Sequence, residues 1–188
     1  MRNAILLHGL PSEQEYYNPD YPSASNSHWF PWLQKELLIN EIKADTPEVV
    51  RPFEMEWNSW VQEVERFPLL PDTTLVGHSM GGGFWVRYMS ERPDLYVDKL
   101  VLVAPWLNID HEYDSNFFDF EVDTALINRT KDMIIFYSDD DNSSIQDTIV
   151  FLRQKFPKAT FKEFQGYGHF TQRSLPDNRF QELLDVIL

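Results

Sequence analysis

The 188-residue sequence contains no cysteine. This absence excludes a disulfide framework, a thiol nucleophile and a cysteine-ligated zinc site, and it is typical of a reducing compartment. Long apolar runs are missing too. The run that begins after Asn3 ends at His8, which is too brief for a signal-peptide core, and no stretch approaches the ~18 apolar residues of a membrane span. We therefore expect a cytoplasmic protein.

Basic residues are scarce: 16 Lys and Arg stand against 30 Asp and Glu, which gives a net charge of −14 at pH 7. Since nucleic acid and anionic membranes repel an acidic surface, neither is expected as a partner. A chain of this length with 43% hydrophobic residues is expected to form one domain, residues 1–188. No cofactor and no metal are expected. The acidic turn 138–142 fails as a calcium loop, because Ser144 falls where that loop needs glycine.

The most informative stretch surrounds Ser79. Residues 77–81, with the sequence GHSMG, fit the G-x-S-x-G pattern of a nucleophile elbow, in which a serine sits on a strained turn between a strand and a helix. An apolar strand pattern precedes this pentapeptide and a helical pattern follows it, as the motif requires. Positions 77 and 81, both glycine, are expected to require a small residue, because side chains there would collide in so sharp a turn. The sequence therefore predicts an exposed nucleophilic hydroxyl.

Buried apolar runs alternate with amphipathic helical patterns along the chain, which predicts an α/β fold with a mostly parallel sheet and helices on both faces. Strands are expected at 4–7, 73–76, 99–104, 133–137 and 160–164, with a weaker candidate at 48–52; helices are expected at 29–38, 57–67, 80–92, 145–156 and 177–187.

Two segments are less regular, and one further helix cap is expected. Residues 12–27 are polar and indicate a surface loop, with Asn26 or Ser27 as the cap of the next helix. Residues 106–131 indicate either a small cap or a long crossover with one short helix. Asp177 is expected to cap the last helix.

An elbow serine needs a histidine as base and an acid that orients it. In proteins with this motif, the acid follows the serine in the sequence and the histidine comes last. His169 follows the last strand on a Gly-rich turn, so it is expected to reach the sheet edge that carries Ser79. The other histidines have different expected roles: His8 positions a loop, His78 points away from the serine hydroxyl, and His28 and His111 are loop residues. For the acid, Asp141 is preferred, Asp139 is second, and Asp140 shares their turn.

Five segments are specific when taken together: Leu7-His8-Gly9, Trp29-Phe30-Pro31-Trp32-Leu33, Gly77-His78-Ser79-Met80-Gly81, Ser138-Asp139-Asp140-Asp141-Asn142 and Gly168-His169-Phe170. With them the whole chain resembles the small single-domain serine hydrolases of the α/β-hydrolase superfamily, the YdeN-like and retinoblastoma-binding-protein-9-like group. The resemblance implies a three-layer α/β-hydrolase sandwich with no large lid, and it supports Asp141 as the acid. Asn142 stands where family members often have proline, so Asp139 remains an alternative.

The expected activity is hydrolysis of a small ester, amide or short peptide through an acyl-enzyme on Ser79. The backbone N–H groups of Met80 and of Gly9 or Leu10 are the expected oxyanion donors. Five aromatic residues are candidates for an acyl pocket, although core positions are the commoner role for such residues: Trp29, Phe30, Trp106, Phe117 and Phe118. The alternative function is a protein-binding module on a hydrolase scaffold with little or no turnover.

Overall fold

The computed structural model describes residues 2–188 and contains a six-stranded sheet in which every neighbouring pair is parallel. The spatial order is β2-β1-β3-β4-β5-β6. The strands are β1 Asn3–Leu7, β2 Lys43–Asp45, β3 Thr73–His78, β4 Val97–Val103, β5 Thr130–Ser138 and β6 Thr160–Phe164. All residues of β1 and β3 are buried, as expected for parallel strands that are covered on both faces.

Helices cover both faces of this sheet and bury large aromatic side chains against it. They are α1 Glu13–Tyr17, α2 Phe30–Ile39, α3 Trp57–Val64, α4 Met80–Ser90, α5 Ser143–Lys155 and α6 Gln181–Ile187. Trp29, which precedes α2, packs on Phe180, which precedes α6, with 6.1 Å between ring centroids. Trp60 of α3 packs on Phe84 of α4 at 5.8 Å. These pairs place buried aromatic rings between neighbouring helices.

The strand order positions the site. The chain passes from β1 to β2 at one edge and then crosses to β3 on the other side of β1, so the β1–β3 boundary is a topological switch point. Ligands of open parallel sheets bind at the carboxyl ends of the strands beside such a point. Gly9 and Ser79 follow those two strand ends, since Leu7 pairs with Gly77 in the ladder.

The expected strand at 48–52 is wrong, because the second strand lies at Lys43–Asp45. Val49 is buried, but its N–H donates to the His8 ring and not to a neighbouring strand. Val50 is exposed, and Arg51 adopts a positive φ of 51°, which ends any extended run. A single buried valine in a polar segment therefore produced a false strand signal.

Two expected helix caps are also wrong. Helix α2 begins at Phe30, after Trp29 and not after Asn26 or Ser27, and no side chain caps it. Helix α6 begins only at Gln181, because Asp177 accepts the N–H of Arg179 in a local turn instead. Short polar side chains often make such turns in place of helix caps.

Of the two irregular segments, residues 12–27 contain α1 and a 3-10 turn, Ala24–Asn26. Ser12 and Glu15 form a reciprocal capping box at the start of α1. Residues 106–129 form a crossover to β5 with two 3-10 turns, Asn116–Phe118 and Thr124–Arg129, whose residues Phe117 and Leu126 are fully buried. Between residues 2 and 188, no helix is long and apolar enough to cross a membrane.

Candidate active site

Ser79 occupies a strained turn between β3 and α4, as the elbow pattern predicts. Its φ is 55° and its ψ is −122°, a combination that costs a non-glycine residue about 1–3 kcal/mol. Backbone hydrogen bonds hold it there: its N–H donates to Val103 O at 2.9 Å, and its carbonyl oxygen accepts from Gly82 and Trp106. The ends of β3 and β4 therefore fix the position of the serine.

Close backbone approaches explain two of the glycines around Ser79. A Cβ atom on Gly77 would lie 2.5 Å from the carbonyl oxygen of Gly81, so no larger residue fits there. A Cβ atom on Gly9 would lie 2.8 Å from the Cβ of Ser79 and 3.4 Å from its Oγ. The backbone that follows β1 is therefore packed directly against the serine side chain.

His169 and Asp141 form a hydrogen-bonded pair. The Nδ1 of His169 lies 2.8 Å from one carboxylate oxygen of Asp141 and 3.1 Å from the other. Because a carboxylate only accepts, Nδ1 carries the proton and Nε2 is left as the basic nitrogen. The Asp141 side chain is 2% exposed and the imidazole 29% exposed. Asp141 therefore holds the Nδ1 side of the imidazole, while part of the ring stays exposed to solvent.

The other two acids of the same turn hold the histidine loop. Asp139 accepts the N–H of Gly166 at 2.9 Å, and Asp140 accepts the N–H of Gly168 at 2.8 Å. A hydrogen bond from Ser138, and then the one from Gly168, lowers the pKa of Asp140. Asp141 is thus the one acid of the turn that hydrogen-bonds the His169 ring.

Ser79 and His169 line the same cavity of about 640 Å³. Within residues 2–188, no hydrogen bond joins the Oγ of Ser79 to the His169 ring or to another side chain. A serine mechanism needs a hydrogen bond between Nε2 of His169 and Oγ of Ser79, and this bond still has to form.

The expected oxyanion donors differ in where they lie. Gly9 and Leu10 line the cavity, whereas Met80, the first residue of α4, is fully buried and its side chain belongs to the core. The N–H groups of all three donate no hydrogen bond to the described part of the chain. Such free N–H groups beside a helix N-terminus are suited to stabilise negative charge.

His8 holds the loop that carries Gly9. Its Nε2 accepts the N–H of Val49 at 3.1 Å, so Nδ1 carries the proton and donates to the carbonyl oxygen of Gly9 at 2.7 Å. Burial lowers the pKa of His8, and the nearby Glu48 opposes this shift only in part. This geometry agrees with the loop-positioning role that the sequence indicated.

His78 lies against His169. Its Nε2 donates to the carbonyl oxygen of His169 at 2.8 Å, and the two ring centroids are 4.9 Å apart. Burial, followed by the neighbouring His169, holds the pKa of His78 well below its usual value. A neutral ring therefore links the elbow strand to the backbone of the histidine loop.

His28 is the site residue that the sequence analysis missed. Its expected role is that of a loop residue, yet it lines the cavity and accepts the N–H of Gln172 on Nδ1 at 3.2 Å. Burial, followed by His169, lowers the pKa of His28 to about 4. The one available signal was its place directly before Trp29, at the start of a segment that carries the family resemblance.

The cavity wall comes from the segment between β1 and α2. Most of the five aromatic residues considered for an acyl pocket belong to the core instead; only Phe30 lines the cavity. The wall is formed by tyrosines and prolines of residues 10–28, which have no hydrophobic period: Pro11, Tyr16, Tyr17, Pro19, Tyr21 and Pro22. The expected surface loop is therefore also the wall of the site.

Three buried or half-buried imidazoles with lowered pKa values predict acid sensitivity of the fold. His8, His28 and His78 bind protons more readily when the chain is unfolded, so the free energy of unfolding should decrease as the pH falls from 6.5 towards about 4. The substitution His28→Asn should reduce this slope, because it removes one of the three groups. Urea unfolding at pH 7, 6 and 5 measures the effect.

The matched control for that experiment is His111→Asn. His111 also has a positive φ, 53° against 57° for His28, so asparagine is equally tolerated at both positions. His111 is exposed, and its replacement should leave the pH slope unchanged. Equal slopes for wild type and His28→Asn would contradict the prediction.

The fold and this site together define a class. An open parallel sheet, a strained serine elbow after β3, and a histidine–carboxylate pair carried by the turns after β6 and β5 are the features of an α/β hydrolase. The chain belongs to the serine hydrolase family, whose model matches residues 16–176. It is a hydrolase.

Individual relatives agree with this placement. The chain is similar to the putative hydrolase YdeN of Bacillus subtilis, with 26% identity over 170 residues, 86% of this chain and 87% of that protein. The crystal structure of the B. subtilis ydeN gene product superposes with a TM-score of 0.82 at 22% identity and covers 100% of this chain and 97% of the other. Est1E from Butyrivibrio proteoclasticus gives a TM-score of 0.67 at 13% identity, with 99% and 85% covered. The resemblance to YdeN-like α/β hydrolases is confirmed.

Proposed function

We propose that the protein cleaves small esters or amides through an acyl-enzyme, with Ser79 as nucleophile, His169 as base and Asp141 as the orienting acid. The 2.8 Å hydrogen bond between Asp141 and the Nδ1 of His169 carries this proposal, because it leaves Nε2 free to accept a proton in the cavity that Ser79 lines. Residues 1–188 act as one hydrolase domain in this mechanism, since the site draws on the turns after β1, β3, β5 and β6.

In the first half-reaction, Nε2 of His169 takes the proton from Ser79 as Oγ attacks the substrate carbonyl carbon. The resulting imidazolium is stabilised by Asp141 and then gives its proton to the leaving alcohol or amine. In the second half-reaction, His169 takes a proton from water, which attacks the acyl carbon and releases the acid. Ser79 recovers its proton from His169.

The negative charge that develops on the carbonyl oxygen needs donors. In this proposal, the N–H of Met80 and an N–H from Gly9 or Leu10 supply them, since none of these groups donates elsewhere in residues 2–188. The hydrogen bond from His8 to Gly9 O and the tight contact of Gly9 with Ser79 keep this loop in place. A preorganised pair of donors is commonly the largest single contribution to such reactions.

The experiment that tests the proposal is hydrolysis of 4-nitrophenyl butyrate and of the matched 4-nitroanilide. Turnover of the ester by the wild-type protein, and not by a Ser79→Ala variant, is expected. A folded wild-type protein that cleaves neither compound would contradict the proposal and would favour a binding role.

The charges of the cavity predict a preference among esters. Two carboxylates, Glu15 and Glu48, and one guanidinium, Arg173, line it. Arg173 donates to the hydroxyl of Tyr21 at 3.0 Å, and Glu48 keeps one oxygen free of hydrogen bonds after accepting the N–H of Ser25, so the two carboxylates outnumber the one cation. Within a protein that carries a net charge of −14, this cavity should favour neutral and cationic substrates over anionic ones.

The substitution Glu48→Gln should weaken that preference. Acetylthiocholine and 3,3-dimethylbutyl thioacetate have the same shape and differ by one positive charge, so the ratio of their kcat/KM values reports charge alone. We expect this ratio to fall roughly threefold in the variant at low salt, as for one partly exposed charge worth about 0.7 kcal/mol. The control is Glu182→Gln on the exposed surface of α6. An unchanged ratio in Glu48→Gln would contradict the prediction.

A further inference from the structure

His28 has an unusual position for a loop histidine. It lines the same cavity as Ser79 and His169, and its backbone is held at a φ of 57°, a conformation that few side chains other than Asn, Asp and His adopt readily. The ring packs edge-on against His78 with 5.6 Å between centroids. The imidazole is therefore fixed both by its backbone and by a neighbouring ring.

The hydrogen bonds of His28 define which nitrogen carries its proton. Nδ1 accepts the N–H of Gln172, so in the neutral ring the proton is on Nε2. With a pKa of about 4, the ring is neutral at physiological pH. Nε2–H finds no acceptor elsewhere in the part of the chain that the structure describes, and it is not among the buried unpaired groups. This N–H is therefore accessible, and His28 is among the residues that line the cavity.

The location of His28 relative to the base indicates which part of a substrate it meets. Gln172, which anchors Nδ1, follows His169 by three residues, and His78 contacts both the His28 and the His169 rings. In a serine hydrolase the base gives its proton to the leaving group, so the leaving group lies on the side of the base. His28 shares these contacts with His169 and therefore lies beside the base.

We propose that the Nε2–H of His28 is a substrate-binding donor, and that the preferred substrates carry an uncharged acceptor oxygen, such as an ether or hydroxyl, in the leaving group. This inference rests on the proposed ester and amide chemistry and adds a substrate class to it. A donor that is placed to bind a substrate oxygen discriminates against an analogue that lacks the oxygen, because the donor is then left unpaired.

Two esters of the same shape isolate this hydrogen bond. In 2-methoxyethyl butyrate an ether oxygen replaces one CH₂ group of the alcohol of butyl butyrate, and acid release from each can be followed in a pH-stat. Wild-type protein should prefer the methoxyethyl ester in kcat/KM, after correction for the intrinsic reactivity of the two esters towards hydroxide. A wild-type protein that hydrolyses neither ester contradicts the proposed function and not the role of His28.

The decisive comparison uses two variants of His28. In His28→Asn the side-chain oxygen can still accept the N–H of Gln172, and asparagine tolerates the positive φ, but the donor at the Nε2 position is lost. In His28→Gln an amide N–H remains near that position. We expect His28→Asn to reduce the methoxyethyl preference roughly tenfold, as for one hydrogen bond, and His28→Gln to retain most of it.

A purely structural role of His28 would have another signature. It would lower kcat/KM equally for both esters and leave their ratio unchanged. An unchanged ratio in folded His28→Asn protein would overturn the proposal. Labelling of Ser79 by a fluorophosphonate serves as the check that each variant retains a reactive nucleophile.

Discussion

Replacement of Ser79 by alanine is expected to lower kcat on 4-nitrophenyl butyrate by at least about 10⁴-fold, since loss of a serine nucleophile removes the covalent route altogether. The substitution should not disturb the fold, because the Oγ of Ser79 makes no hydrogen bond within residues 2–188 and alanine experiences the same backbone strain. Steady-state kinetics with a thermal unfolding measurement on the same sample checks both statements.

The control for this experiment is Ser59→Ala. Ser59 is exposed on α3, and its side chain makes no hydrogen bond with the rest of the described chain, so wild-type kcat is expected. A Ser79→Ala protein that retains more than about a tenth of wild-type kcat would contradict the assignment of the nucleophile.

The substitution Asp141→Asn is expected to lower kcat about 10³- to 10⁴-fold. An amide can donate to Nδ1, which favours the tautomer with the proton on Nε2, and that nitrogen can then no longer accept the proton of Ser79. KM should change little, because Asp141 lies behind the imidazole and is not among the residues that line the cavity. The kcat and KM values of the variant, measured at pH 8, test this mechanism.

Asp139→Asn and Asp140→Asn are the matched controls, because the sequence left the choice of acid open. Both carboxylates accept backbone N–H groups of the histidine loop, and an asparagine oxygen can accept the same bonds. Each variant should lose less than about tenfold in kcat. A loss at Asp139 as large as that at Asp141 would reverse the assignment.

The elbow shows how much of a site can be predicted from sequence. The spacing of Gly77, Ser79 and Gly81 depends on contacts between residues that are close in the chain, so the strained turn is encoded locally. Likewise, the short uninterrupted apolar runs identified the central strands because parallel strands are buried on both faces. The class of protein therefore follows from short stretches of the sequence.

Several features that depend on contacts between distant residues were not predicted. Strand β2 is short, polar and at the sheet edge, so it lacks the apolar run that marks the other strands. His28 becomes part of the site through Gln172, which is 144 residues away, and through the His78 ring, and the tyrosine wall lies in a segment without hydrophobic period. The local sequence of the wall gives no sign of the cavity, and that of His28 offers only its place before Trp29.

The roles of the three acids after β5 illustrate the same distinction. The sequence places Asp139, Asp140 and Asp141 in one turn, and although it favours Asp141, it leaves Asp139 open because adjacent side chains share most local properties. The structure distinguishes them by their partners in the loop after β6: Gly166, Gly168 and the ring of His169. Tertiary contacts, and not the turn itself, therefore determine which group each acid binds.

The most direct test of Ser79 as nucleophile is mass spectrometry of the protein after reaction with a fluorophosphonate, which phosphonylates activated serines. We predict one adduct per chain, located on Ser79, which disappears in Ser79→Ala and is strongly slowed in Asp141→Asn. Folded wild-type protein that remains unmodified, or that carries the adduct on a different serine, would contradict the account.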